Sequence, residues 1–302
     1  MSMARDISGG CFTATRHSTT YSYISPLKLN LVGRHVLITG AAWENGVGYA
    51  TATAFARAGA SAIAVADLYG VSDGTLAKLK LAAAQAGRPE PVVLGCAVDI
   101  ARQDSVRALH HTLSQEFAGR LDIVVNNAAH MEPYESLLDA DPDVNWRTWE
   151  VNVRGLFNMT RTFLPMQLST RAGAGGSCTM INVSSSGALS ARPRSGSYRS
   201  SKLAILRWTE SLQLEYGDAG LLAFCVNPGA IKTKITEGAP ESVRDALPDC
   251  PDIAGDTIAW LAAERREWLG GRYVSCTWDM EELMTKKDEI IERDMLKMRM
   301  AF

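Results

Sequence analysis

The sequence predicts an α/β fold built on a single doubly wound parallel sheet. Two observations carry this. From His35 onward, short β-branched runs alternate strictly with helical stretches, the order that parallel strands joined by crossover helices require. The strands also read as apolar on both faces, as strands buried between two helix layers do.

The elements follow in order. Residues 35–39 (HVLIT) form the first strand, followed by a glycine-containing turn and an Ala-rich helix over 46–58. Strands are expected at 61–67, 91–99 and 121–129, separated by helices at 73–86 and 103–117. A long helix over 146–167 leads to a fifth strand at 177–184. A helix over 198–216, a strand at 221–229, a helix over 252–263 and a strand at 272–276 complete the series. There is no internal repeat and no linker long enough to split this unit. We divide the chain into an arm (1–28), a main α/β domain (29–279) and a charged carboxyl-terminal helical extension (280–302).

With 302 residues, a prior of ~150 residues per domain suggests two domains, but α/β folds reach ~250 residues as one. Charge excludes some functions: 31 basic against 33 acidic residues leave a net charge of −2. That is no footprint for nucleic acid or an anionic membrane. Nor does any run approach the ~18 apolar residues of a membrane span. The six cysteines stand singly, without CxxC pairing, and suit a reducing, cytoplasmic setting. Residues 1–25 are Ser/Thr-rich with Arg5, Arg16 and one acid, Asp6; they read as a surface-draped arm or a transit peptide. His130 follows the fourth strand, but no carboxylate or Cys stands at metal-ligand spacing, so no metal is expected.

The first strand runs into TGAAWENGVG, placing Gly40, Gly46 and Gly48 before the helix. Glycines there let the backbone approach a pyrophosphate, and the helix amino terminus offers unpaired N–H groups. Asp67 ends the second strand 19 residues beyond Gly48. A carboxylate at that offset accepts from the ribose of NAD and repels a 2′-phosphate. Trp43, Glu44 and Asn45 supply no basic alternative, so NAD is expected rather than NADP.

Tyr198 and Lys202 lie four residues apart on one helix face. An ammonium about 4 Å from a phenol in a partly buried site is worth roughly 4 kcal/mol, enough to lower its pKa by about three units. Such a tyrosine can exchange a proton with an alcohol or carbonyl oxygen. NVSSSG ends the fifth strand, with Ser185 standing 13 residues before Tyr198.

Residues 29–279 resemble the short-chain dehydrogenase/reductase family, single-domain type, whose sheet is Rossmann-like. The resemblance implies a catalytic tetrad of Asn152, Ser185, Tyr198 and Lys202, with Asn152 positioning a water that relays protons from Lys202. NNAA (126–129) resembles the family's NNAG motif, with Ala129 in place of glycine. The resemblance further implies cofactor contacts from Gly40, Asn45, Gly46, Val47, Gly48, Asp67, Asp99, Ile100, Asn126 and Ala128. Tyr198, Lys202, Pro228, Gly229, Ile231 and Thr233 complete the set, Asp99 at the adenine and Thr233 at the nicotinamide. The glycine turn is two residues longer than the family's TGxxxGxG, and Ser184 and Ser186 flank Ser185 as alternatives.

The implied activity is NAD-dependent interconversion of a secondary alcohol and a ketone on a small to medium apolar molecule. Two rivals stand beside it: a non-redox cyclase or isomerase on the same fold, and a nucleotide-binding regulator without turnover. The family further implies a homodimer or homotetramer, and the tail resembles those of fungal members in secondary metabolism. The substrate pocket is expected between 131–134, 188–194 and 230–251, with Arg192 and Arg194 at its rim. Over 279–298, Met280, Leu283, Met284, Ile290, Ile291, Met295, Leu296 and Met298 recur at helical spacing. This apolar stripe requires burial, on its own domain, over the substrate pocket or over a partner subunit's pocket.

Overall fold

A computed structural model describes residues 9–173 and 175–300. Its centre is one seven-stranded, wholly parallel sheet. The strands are β1 (His35–Thr39), β2 (Ala62–Asp67), β3 (Val92–Ala97), β4 (Ile123–Asn126), β5 (Thr179–Val183), β6 (Leu222–Asn227) and β7 (Tyr273–Ser275). Their order is β3-β2-β1-β4-β5-β6-β7. The chain therefore reverses direction across the sheet between β1 and β4, which opens a crevice at their carboxyl ends.

The helices are α1 (Val47–Arg57), α2 (Asp73–Gln85), α3 (Gln103–Glu116), α4 (Pro142–Trp149), α5 (Leu156–Ala172) and α6 (Gly196–Tyr216). Short α7 (Glu241–Arg244), α8 (Pro251–Ala263), α9 (Met280–Thr285) and α10 (Lys287–Glu292) follow. The two-residue period of β1 sorts the core. Val36 and Ile38 face one layer with α1 and α8, while Leu37 faces the other with α3 and α5. The expectation of strands apolar on both faces fails at β3, which lies at the sheet edge and leaves Val92 exposed.

Two helical expectations need correction. The helix expected from Trp146 begins earlier, at Pro142, because the Asp141 carboxylate accepts the Asp143 and Val144 N–H groups. It is also interrupted by a π-helical turn over Glu150–Gly155. The carboxyl-terminal stretch is not one helix. It breaks between α9 and α10, and the chain leaves helical geometry at Asp294 and Leu296, both at positive φ.

Arm and tail are stitched together across the domain. The His17 ring bonds the Asp279 carboxylate at 2.8 Å, and Glu282 accepts the Ala14 N–H at 2.8 Å. Trp278 packs against Phe12 and donates its indole N–H to the Gly9 carbonyl. Met280, Leu283 and Ile290 are fully buried in the main core. The stripe thus docks on its own domain through these three residues, with Met284, Met295, Leu296 and Met298 partly buried against the same core and Ile291 exposed. Among the described residues, no helix is long and apolar enough to cross a membrane.

Candidate active site

The crevice begins with the glycine turn. Gly40 has φ +69°, and a Cβ there would stand 2.7 Å from Ala128 Cα. A Cβ at Gly48 would meet the Gly40 carbonyl at 2.3 Å. Only glycine allows the start of α1 to press this closely on β1 and β4. Asn127 locks the turn, donating its side-chain amide to the Thr39 and Gly40 carbonyls at 2.9 Å each. Asn127 was not among the expected contacts; the second Asn of NNAA was its only signal in the sequence. The α1 N–H groups open onto this turn, with Gly46 at the N-cap.

Beside it lies a cleft of about 490 Å³ lined by Ala42, Trp43, Tyr69, Gly70, Val71, Ser72 and Gly95. Asp67, at the end of β2, is tied to the lining residue Ala42. One carboxylate oxygen accepts the Ala42 N–H at 3.1 Å and the other the Leu68 N–H at 2.8 Å. A carboxylate has about four acceptor positions, so capacity for ribose hydroxyls remains. Lys78 of α2 is paired with Glu44 at 2.6 Å, and Lys234, 5.0 Å from the ring centroid of the lining residue Trp43, is paired with Glu237. Asp99 is engaged by Arg147 of α4 at 3.0 Å and by the Ala101 N–H. Ile100 is buried against Gly155.

Ser185, Tyr198 and Lys202 converge at the carboxyl end of β5. The Ser185 hydroxyl accepts the Gly187 N–H at 3.0 Å and lies close enough to the Tyr198 phenol to favour its ionised form. Ser184 instead donates to the Lys202 carbonyl at 2.7 Å. Lys202 is buried and donates to the Val183 carbonyl at 2.9 Å, with Nζ 5.7 Å from the Tyr198 ring centroid.

The expected lowering of the Tyr198 pKa is not what this arrangement produces. Burial pushes the phenol up, and the Ser185 bond and Arg199 oppose that rise. Burial also pulls Lys202 down to about 8.

Asn152 sits in the π-helical turn, where such irregularities mark functional sites. Its side chain accepts the His130 N–H at 2.8 Å and donates to the His130 carbonyl at 2.9 Å and the Ser201 hydroxyl at 2.9 Å. Beside it a cavity of about 10 Å³, lined in part by Asn126, Asn152, Asn182 and Val183, has room for about one water. Asn126 donates to the Asn182 side chain at 2.8 Å.

The far wall follows β6. Asn227 accepts the Ser186 N–H at 2.9 Å and thereby ties Pro228 and Gly229 to the serine segment. Ile231 is buried, and Thr233 caps the short turn Lys234–Thr236. Arg192 and Arg194 lie exposed on the loop before α6. Glu132, a buried acid after β4, was also missed. It reaches Tyr198 across 66 positions, a contact no local pattern announces.

A Rossmann-type sheet with a glycine cradle and a Ser–Tyr–Lys cluster defines a nicotinamide-dependent oxidoreductase. The chain belongs to the short chain dehydrogenase family, whose family model matches residues 34–243. It is 40% identical over 293 residues to short chain dehydrogenase citE of Monascus ruber, covering 97% of both chains. Short chain dehydrogenase pigC of Monascus ruber is 38% identical, covering 96% of this chain and 94% of that protein. Among solved structures, the 3-ketoacyl-(acyl-carrier-protein) reductase of Brucella melitensis complexed with NADH superposes with TM-score 0.69 at 26% identity. It covers 82% of this chain and 97% of that one. A chain from Escherichia coli CFT073 solved with NADPH gives TM-score 0.67 at 25% identity, covering 82% and 97%.

Proposed function

We propose that this protein is an NAD-dependent oxidoreductase interconverting a secondary alcohol and a ketone on a small to medium apolar molecule. The observation that carries the reading is the convergence of Ser185 and Lys202 on Tyr198 beside the glycine cradle. A nucleotide-binding regulator has no use for that cluster.

The residues present fit the dinucleotide. The backbone cradle at Gly40, Asn45, Gly46, Val47 and Gly48 would hold the pyrophosphate at the α1 amino terminus. Asp67 would hold the ribose, Asp99 and Ile100 the adenine end. Asn126, Ala128, Pro228, Gly229, Ile231 and Thr233 would line the nicotinamide. Asp67 disfavours a 2′-phosphate, and Lys78 is already neutralised by Glu44, which supports NAD over NADP. When bound, the nicotinamide supplies hydride exchange.

The chain's own groups handle the proton and the orientation. Tyr198 Oη gives or takes the proton of the reacting oxygen, and Ser185 Oγ bonds the same oxygen and fixes its place. Lys202 would hold the cofactor ribose, with its ammonium 5.7 Å from the Tyr198 ring centroid. The small cavity at Asn152 and Val183 suits a water linking Lys202 to the proton pool.

Exposed Phe157 and Leu203 on α5 and α6 support a homodimer or homotetramer. Buried thiols at Cys178, Cys225 and Cys276 suit the cytoplasm. The Monascus relatives align along nearly the whole chain, arm and tail included, which favours a place in fungal secondary metabolism.

The test is purified protein with NAD and a panel of secondary alcohols, followed by NADH absorbance. NADH formation supports the reading. No turnover with any alcohol, nor of any ketone with NADH, contradicts it.

A further inference from the structure

Helix α6 starts without a cap of its own. Ser195, at the N-cap, has φ 54° and makes no side-chain cap bond, and Arg194 before it has φ 63°. Tyr198 is the third residue of α6, so its N–H has no partner within the helix. That N–H donates to both oxygens of Glu132 at 3.0 Å. Glu132 is 3% exposed, and a buried carboxylate persists only where donors and a favourable field hold it. The amino-terminal dipole of a 21-residue helix supplies the field, and the Thr148 hydroxyl, 3.1 Å from Oε2, supplies a second donor.

The bonds continue. The Thr148 proton goes to Glu132, so His130 Nδ1, 3.0 Å from Thr148 Oγ1, must carry the proton of that bond. Both backbone groups of His130 are gripped by Asn152. Asn152 donates to Ser201 Oγ, which in turn donates to the Tyr198 carbonyl at 2.7 Å. The ring Tyr198 N–H, Glu132, Thr148, His130, Asn152, Ser201, Tyr198 C=O is closed. It holds both backbone polar groups of one residue from three different parts of the fold.

We propose that Glu132 is a positioning residue for Tyr198, substituting for the missing cap of α6 and fixing where the phenol meets Ser185. The inference rests on the redox reading above only for what Tyr198 then does. Its electrostatic consequence follows from the groups around the phenol. Burial opposes the phenolate most, Arg199 on α6 and the Ser185 hydroxyl after β5 favour it, and Glu132, after β4, opposes it. Removing the charge while keeping the shape therefore lowers the Tyr198 pKa.

The test uses Glu132→Ala and Glu132→Gln in the full chain. In unliganded protein, Glu132→Ala raises amide hydrogen exchange over the first turn of α6 by about tenfold or more, leaving β3 unchanged. Glu132→Gln, which keeps an acceptor, raises it less. Unchanged exchange in the first turn for both variants overturns the proposal, whether or not the protein turns anything over. In the pH profile of NAD-dependent oxidation, the rising limb of Glu132→Gln moves down by about half a unit or more. A slower variant with an unmoved limb reduces Glu132 to a purely structural cap and overturns its influence on the phenol. Raised exchange in a protein whose wild type oxidises nothing supports the positioning role and contradicts the redox reading alone.

Discussion

Lys202 Nζ lies 5.7 Å from the centroid of the Tyr198 ring, but its hydrogen bond goes to the Val183 carbonyl at 2.9 Å. The ammonium is thus stationed behind the phenol, at the protein's expense in stability. Burial lowers its pKa from 10.5 to about 8. The unfolded chain binds the extra proton between these values, so this group makes stability rise with pH from about 8 to 10.5. Its burial penalty is fully present below about pH 8.

Lys202→Met is therefore expected to stabilise the fold at pH 7 by about 1–3 kcal/mol. Turnover is abolished in the same variant. Denaturant unfolding at pH 7 and pH 10.5 checks this, since the gain shrinks at the higher pH. A variant less stable than wild type at pH 7 contradicts the account of Lys202 as a buried, costly cation.

The cofactor preference follows from Asp67 and from the pairing of Lys78 with Glu44. NAD is expected to bind at least about tenfold more tightly than NADP, about 1.4 kcal/mol. Asp67→Ala narrows that gap, because it removes both the ribose acceptor and the charge that repels a 2′-phosphate. Titration of each dinucleotide against both proteins reads this directly. NADP binding equal to NAD in the wild type removes Asp67 as the selector.

Deletion after Asp279 is expected to destabilise the whole domain. It removes Met280, Leu283 and Ile290, each fully buried, at about 1.5–3 kcal/mol apiece. It also strips the Glu282 carboxylate from the Ala14 and Thr15 N–H groups. Thermal unfolding of the truncated chain gives the answer: an unchanged midpoint contradicts the burial of the tail in the core.

The sheet was legible because its signal is local. Apolar runs of five or six residues alternate with helices, and strand ends carry Gly40, Asp67 and Ser185. Choosing Ser185 over Ser184 needed only the spacing to Tyr198, and the structure separates the two by their bonding partners. What escaped depends on contacts distant in sequence. The π-helical turn at Asn152 leaves no period to read. The break between α9 and α10 falls at Lys286, which lies over the Phe12 ring of the arm, although the apolar stripe alone continues through it. The Tyr198 pKa was misjudged because four-residue spacing places Lys202 on the right face without showing that burial raises the phenol or that the Lys202 proton goes to Val183. Glu132 was invisible because its partners lie 16 and 66 positions away.

The account stands on Tyr198 as the group that exchanges the proton. Tyr198→Phe, compared with wild type under saturating NAD on a shared secondary alcohol, tests it most directly. The account predicts a turnover loss of about 100-fold or more, with NAD affinity within about threefold of wild type. A Phe variant that keeps more than about a tenth of wild-type turnover contradicts it.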